Sequence, residues 1–297
     1  MRVFVIGATG FVGLPAAQAL VRAGHIVYGL ARTPEKAKLL EKEEIHPVLG
    51  DASDPSAWIS IIANIDVVIE AIGGGPDFPQ LQQNVFKAVT DAAGNRPVGS
   101  AKISYIYTSG AWVHGDDRQN IITDNTPITS PVSLVAWRPA VEQAIVNSKV
   151  VNGIVVRPGI VYGRSGSLLA ILFSAPTGKP QWYGTPGGRW SAIHTDDLAN
   201  FYVLAAEKAG AIGGQIFDVV NDTTESVDEI LAKAAKLIGA SGYEYVAPTN
   251  PFEEALSTTQ IIRPYLARAL LGWTPRRIGL LDGLEIYYAS FKAHAGK

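Results

Sequence analysis

The chain has no cysteine and a single methionine among its 297 residues. The missing cysteine excludes disulfides, thiolate metal ligands and a cysteine nucleophile, and it leaves thiol usage silent on redox compartment. An excess of either charge is also lacking: 25 basic and 27 acidic residues give a net charge of −2, with no long run of one sign. Nucleic acid and membrane surfaces are therefore not expected as partners. No stretch reaches the ~20 apolar residues of a membrane span. The opening run Val3-Phe4-Val5-Ile6 is too short for the core of a signal peptide and reads as a buried strand. A cytoplasmic protein acting on a small molecule, as a monomer or homodimer, is the expectation.

With 47% hydrophobic and 18% charged residues, the chain can bury one large core or a core and a smaller lobe. Short β-branched runs recur at Val3–Ile6, Ile26–Leu30, His46–Leu49, Val67–Ala71, Ile103–Thr108 and Gly153–Arg157, with helical spacing between them. That alternation predicts an α/β fold: a doubly wound parallel sheet of Rossmann type with helices on both faces. Thr33-Pro34 and Asp54-Pro55 place a capping side chain before a proline at a first helical position, and Ser226 with Glu229 forms a capping box. Glycine and proline become frequent after Pro158. The expected division is a dinucleotide-binding domain over 1–157, with some later segments returning to it, and a smaller substrate-binding lobe over 158–297. Strands are expected at Gln181–Tyr183 and Gln215–Val220, and helices at Asp197–Ala209 and Ile278–Ala293.

The first βα junction reads Gly7-Ala8-Thr9-Gly10-Phe11-Val12-Gly13. A tight turn needs a glycine, the pyrophosphate of a dinucleotide needs bare backbone, and close helix–strand packing needs the third glycine. The N–H groups and positive end of the following helix then face the phosphates. The second strand ends at Arg32, where an acidic residue would grip the ribose of NAD; an arginine there pairs with the 2′-phosphate of NADP or is simply a solvated loop residue. NADP(H) is therefore expected ahead of NAD(H). Asp51 and Ala52 follow the third strand, where a carboxylate can accept from the adenine amino group. After the fourth strand, Ala71-Ile72-Gly73-Gly74-Gly75 lets backbone lie flat against a ligand, or is a flexible loop. Gly73 is assigned to the cofactor side and Gly74 to the substrate side.

Taken with Gly50-Asp51, Thr108-Ser109-x-x-x-x-His114-Gly115, Arg157-Pro158-Gly159-Ile160-Val161-Tyr162-Gly163, His194-Thr195-Asp196-Asp197 and Leu271-Gly272-Trp273-Thr274-Pro275, this turn makes almost the whole chain resemble the short-chain dehydrogenase/reductase superfamily. The likeness is to its extended and atypical branch, which includes NAD-dependent epimerases and dehydratases. The resemblance implies a serine after the fifth strand and a Tyr-x-x-x-Lys pair on the next helix as the proton-transfer machinery. Aligning Glu142 with the family's glutamate puts Leu134 at the tyrosine position and Arg138 at the lysine position. Aligning Gly115 puts Gly110 at the serine position. A leucine cannot donate a proton, and an arginine holds a ribose or phosphate but is a poor shuttle.

Substitute catalytic candidates are Ser109, His114, Tyr162 and Arg138. His114 is either functional or a loop histidine satisfied by backbone, and Tyr162 is either a proton donor or a packed ring bonded to backbone. Thr108, Arg138 and Pro158 join the cofactor-side candidates. Trp112, Leu134, Tyr183, Arg189 and Trp190 are the substrate-side candidates, the aromatics being alternatively core of the small lobe. An apolar pocket with one cation suits an aromatic or terpenoid-like carbonyl, enone or imine. The expected activity is an NADP(H)-dependent reduction. Two alternatives stay open: a non-redox isomerase, epimerase or lyase on the same fold, and a catalytically silent NADP(H)-binding sensor. His194 through Asp197 reads as a helix start, so no metal is expected.

Overall fold

A computed structural model describes residues 1–75, 77–165, 168–174 and 178–295. Its central element is a seven-stranded sheet. The first five strands in sequence are β1 (Arg2–Ile6), β2 (Ile26–Ala31), β3 (His46–Leu49), β4 (Val67–Glu70) and β5 (Ser104–Thr108). Across the sheet they stand in the order β5, β4, β1, β2, β3, with Asn152–Pro158 and then Ile216–Val219 continuing beyond β5. The pairings described between these strands run parallel. Val3 through Ile6 have no exposed surface, as expected of a strand covered on both faces.

The chain divides into two compact units. The first comprises 1–109, 140–156 and 198–216, the second 110–139, 157–197 and 217–297. Residues 198–216 group with the earlier segments and residues 110–139 with the later ones.

In the first unit the helices α1 (Gly13–Arg22) and α2 (Pro34–Glu41) lie against β1, β2 and β3. α1 approaches closely because its inner face is small: Gly13, Ala16, Ala17 and Ala19 are buried there with Leu20. Thr33 caps α2 through Lys36 N at 3.3 Å, with Pro34 in the first turn. α3 (Phe78–Gly94) buries Gln82, Val85 and Val89, the spacing of one helical face. Asp54-Pro55 opens only a short 3₁₀ turn, Pro55–Ala57, in place of a longer helix.

The second unit has its own core, in which Tyr162, Leu172, Trp182, Trp190, Ile230 and Leu284 are buried. Two-stranded pairings frame it, Ile160–Tyr162 with Ala192–His194 and Gln181–Tyr183 with Glu244–Val246 among them. Ser226 caps the helix Val227–Leu237 through Glu229 N. The last helix runs Leu284–His294, not from Ile278 as expected. Residues 278–283 stay non-helical because Glu225, buried, accepts from Leu280 N at 2.9 Å, and Gly279 comes so near that a Cβ there would lie 2.8 Å from Glu225 Oε1. The helix expected from Asp197 spans Thr195–Glu207, its start fixed by Asp196 N donating to His194 Nδ1 at 3.0 Å.

Gly153, in the strand Asn152–Pro158, tests how tightly the first unit packs. An added Cβ would run into the carbonyl of Ile145 and lie 2.9 Å from Ile145 Cγ2. Gly153→Ala is expected to lower stability by about 1–3 kcal/mol, read as a lower urea midpoint at unchanged slope. An unchanged midpoint would mean that the helix carrying Ile145 has room to move.

Candidate functional site: a nucleotide cradle at the ends of the parallel strands

The carboxyl ends of β1 to β5 lie along one edge of the sheet, and the first-unit candidates sit there. Gly7 has φ +92°, and a Cβ on it would collide with the carbonyl oxygen of Ala71. Gly10 N donates to Gly7 O at 2.9 Å. A Cβ on Gly13 would strike that same Gly7 oxygen. The first and third glycines are thus required by the protein's own backbone, whereas at Gly10 an added Cβ would meet only Gly7 O at 3.2 Å. α1 also starts without a side-chain cap at Val12 and without an acid in its first turn. α2, in contrast, is capped by Thr33 and carries Glu35 there. An uncapped helix start behind bare glycine, with Gly10 exposed and Thr9, Phe11 and Val12 half-buried, is the donor set a pyrophosphate requires.

Arg32 follows β2 and is exposed, with no hydrogen bond or ion pair among the described residues. Asp51 and Ala52 follow β3 and are half-buried. Asp51 Oδ1 accepts from Ser53 N at 2.8 Å and Ser53 Oγ at 2.6 Å. These two bonds, helped by the charge of Arg32, hold the Asp51 carboxyl below its usual range. Ala71 is buried and donates to Ile6 O at 2.8 Å, Ile72 is half-buried, and Gly73 and Gly74 are exposed. A Cβ on either glycine would meet nothing within 4 Å, so no intramolecular contact demands their bareness. The residues present therefore fit a dinucleotide.

β5 ends differently from expectation. Thr108 Oγ1 donates to Glu70 O and lies 2.7 Å from the hydroxyl of Tyr202. Burial pushes the Tyr202 hydroxyl well up. Ser109 donates to the fully buried carboxylate of Glu142. Both hydroxyls therefore have internal partners.

Beneath this edge lies a polar network the sequence reading missed. Glu70 is buried and accepts from Gln82 Nε2 at 2.9 Å and from the Tyr105 hydroxyl, while the Tyr107 hydroxyl donates to Gln82 Oε1. Burial, then the charge of Glu70, drives the Tyr105 hydroxyl up. A carboxylate ending an otherwise apolar strand, with tyrosines two apart on the next strand, was the available signal.

The other candidates lie in the second unit. His114 ends the 3₁₀ turn Ala111–His114, and its Nε2 lies 2.9 and 3.1 Å from the two oxygens of Asp218. These side chains are 1% and 0% exposed. Asp218 N donates to Asp124, whose other oxygen accepts from Tyr265 N and Leu266 N, both at 3.0 Å. Burial, with the nearby Asp218 charge, raises the Asp124 carboxyl. His114 is thus satisfied by a carboxylate, not by backbone.

Two candidates do not keep the catalytic or substrate-side role and take the alternative named for them. Tyr162 is buried; its hydroxyl donates to Ile278 O at 2.9 Å and accepts from Asn221 Nδ2 at 3.0 Å, and burial pushes its pKa up, so its proton is held within the core. Trp190 is a core residue, its ring 4.7 Å from that of Trp182, because a two-residue strand turns it inward. Arg189 is tied down as well, donating to Thr224 Oγ1 at 2.8 Å and Thr224 O at 2.6 Å. Trp112 and Tyr183 are half-buried, Leu134 is exposed, and Pro158 is buried at the end of its strand. The Arg138 guanidinium stacks over the Trp137 ring at 5.0 Å. Among the described residues no cluster of three or more histidines and carboxylates is arranged for a metal. No helix among them is long and apolar enough to cross a membrane.

A family model described as NAD(P)H-binding matches residues 7–206. The chain belongs to this NAD(P)H-binding family. It is 25% identical over 276 residues to a phenylcoumaran benzylic ether reductase of Ginkgo biloba, covering 87% of this chain and 82% of that protein. It is 26% identical over 314 residues to a 3-diazoavenalumate denitrifying reductase of a Streptomyces species, covering 96% and 99%. The structure of a dTDP-glucose 4,6-dehydratase from Bacillus anthracis in complex with NAD matches with a TM-score of 0.81 at 14% identity, covering 99% of this chain and 97% of that one. Identity that low shows a shared fold. The Rossmann-like parallel sheet that the resemblance implies is thus found in this NAD(P)H-binding protein.

The His114–Asp218 pair carries the prediction for the second unit. His114→Ala strands a buried carboxylate and is expected to cost about 3–5 kcal/mol of stability, seen as a lowered urea midpoint. A variant of unchanged stability would free His114 from this structural role.

Proposed function

We propose that this protein is an NADP(H)-dependent reductase acting on a small apolar or aromatic carbonyl, enone or imine. The observation that carries the reading is the exposed, unbonded Arg32 guanidinium beside the uncapped glycine turn, at the place where a carboxylate would have repelled a 2′-phosphate. Two reductases among the relatives support it.

NADPH supplies the hydride when bound. The chain's own residues bind and orient. The Gly7–Gly13 turn and the start of α1 take the pyrophosphate, Arg32 takes the 2′-phosphate, and Asp51 takes the adenine amino group. Ile72 and Gly73 offer backbone to the dinucleotide. Arg138 offers its guanidinium to a ribose or phosphate. Trp112, Leu134 and Tyr183 are our substrate-side residues. We place the protein in the cytoplasm as a monomer or homodimer, without nucleic acid or membrane as partners.

One observation favours a second reading. Ser109, His114 and Tyr162 all have internal partners, which suits an NADP(H)-binding sensor with no proton relay of its own. Calorimetric titration with NADPH and NADH, followed by NADPH consumption against a panel of carbonyls, enones and imines, separates the two. Turnover supports the reductase; tight NADPH binding without turnover across the panel supports the sensor. Arg32→Asp is expected to weaken NADPH binding by about 30-fold or more while shifting NADH less than about threefold. Equal losses for the two nucleotides would remove the 2′-phosphate assignment.

A further inference from the structure

The turn that follows β3 is held far more firmly than an exposed loop requires. Gly50 N donates to Ala31 O at 2.9 Å, tying the turn to the end of β2 one residue before Arg32. The Asp51 carbonyl accepts twice, from Asp54 N at 3.1 Å and from the indole Nε1 of Trp58 at 3.1 Å. Trp58 has no exposed surface and packs its ring 5.8 Å from Phe4 in β1. Its N–H therefore reaches out of the sheet's core to a single backbone oxygen. The side chain of Asp51 is fixed as well, because Ser53 bonds Oδ1 with both its amide and its hydroxyl. Among the described residues Oδ2 has no partner, leaving one ionised acceptor on a rigid turn beside the Arg32 cation.

An acceptor that has been fixed in place and left open is selective for a donor. The adenine of a dinucleotide carries a 6-amino donor, whereas hypoxanthine carries a 6-oxo acceptor that a carboxylate repels. Resting on the cofactor reading above, we propose that Trp58 and Ser53 are positioning residues that make this protein select the adenine base: Trp58 fixes the backbone of Asp51, Ser53 fixes its carboxylate, and Oδ2 is presented to the 6-amino group.

The test compares binding of NADPH, its 6-oxo analogue deamino-NADPH, and NADH to the full chain by calorimetry. Wild type is expected to favour NADPH over deamino-NADPH by about tenfold, the worth of one charge-assisted hydrogen bond. Trp58→Phe keeps the ring and removes the N–H, and Ser53→Ala removes the hydroxyl. Each is expected to bring the base preference down to about threefold or less and leave the NADPH-to-NADH ratio unchanged, since Arg32 is untouched. Asp51→Asn, able to turn an amide N–H toward a 6-oxo group, is expected to abolish or invert the preference. Wild type binding both bases equally would overturn the proposal, as would a full preference retained in both positioning variants. A parallel fall in base and phosphate preference would also overturn it, because the turn would then have only a structural role. If Trp58→Phe does not fold, Ser53→Ala decides alone. If wild type binds no nicotinamide nucleotide, the cofactor reading itself has failed, an outcome distinct from binding without base preference.

Discussion

The carbonyl oxygen of Gly7 is where the first unit is tightest. It accepts from Gly10 N, and a Cβ on Gly13 would overlap it. Gly7 itself stands against the backbone of Ala71 at the end of β4. The three segments can meet here only because Gly7 and Gly13 carry no side chain. Because they do, α1 begins directly over the strand ends with its amides uncapped. The site for an anion is thus a by-product of how closely a helix can approach a sheet. Arg32, Asp51 and Gly73 are placed by the strands that this contact aligns.

Much of this was legible in the sequence, and the reasons differ from part to part. β1 showed because a strand buried on both faces must be apolar on both faces, which leaves the unbroken run Val3-Phe4-Val5-Ile6. The glycine turn showed because its spacing obeys backbone sterics, and α2 and Val227–Leu237 because Thr33 and Ser226 are local caps. Glu142 and Ser109, aligned by motif, prove to be bonded to each other.

What was hidden depended on contacts distant in sequence. Residues 278–283 continue the apolar pattern of the last helix, yet the carboxylate of Glu225, bonded to Leu280 N, holds them in a turn ahead of it. Trp190 and Tyr183 look alike as letters, yet one lies in the core and the other is half-buried, a distinction set by strand register. His114 and Tyr162 have chemistry suited to proton transfer, and their partners Asp218 and Ile278 lie more than a hundred positions away. Glu70 passed unnoticed because a single acid at the end of a strand ordinarily faces water.

The Glu70 network has a consequence for how the sheet assembles. Tyr105 and Tyr107 point to the same face of β5, and β5 aligns with β4 as Val67 to Ser104 and Glu70 to Tyr107. Side chains alternate faces along a strand, so sliding β5 by one residue would turn both tyrosines away. Glu70 would lose its hydroxyl donor and Gln82 its other partner, in an interior where each hydrogen bond taken from a buried polar group is costly. Apolar strands of Val and Ile tolerate several alignments nearly equally. These four polar groups do not, and they act as a key that admits a single pairing of β4 with β5.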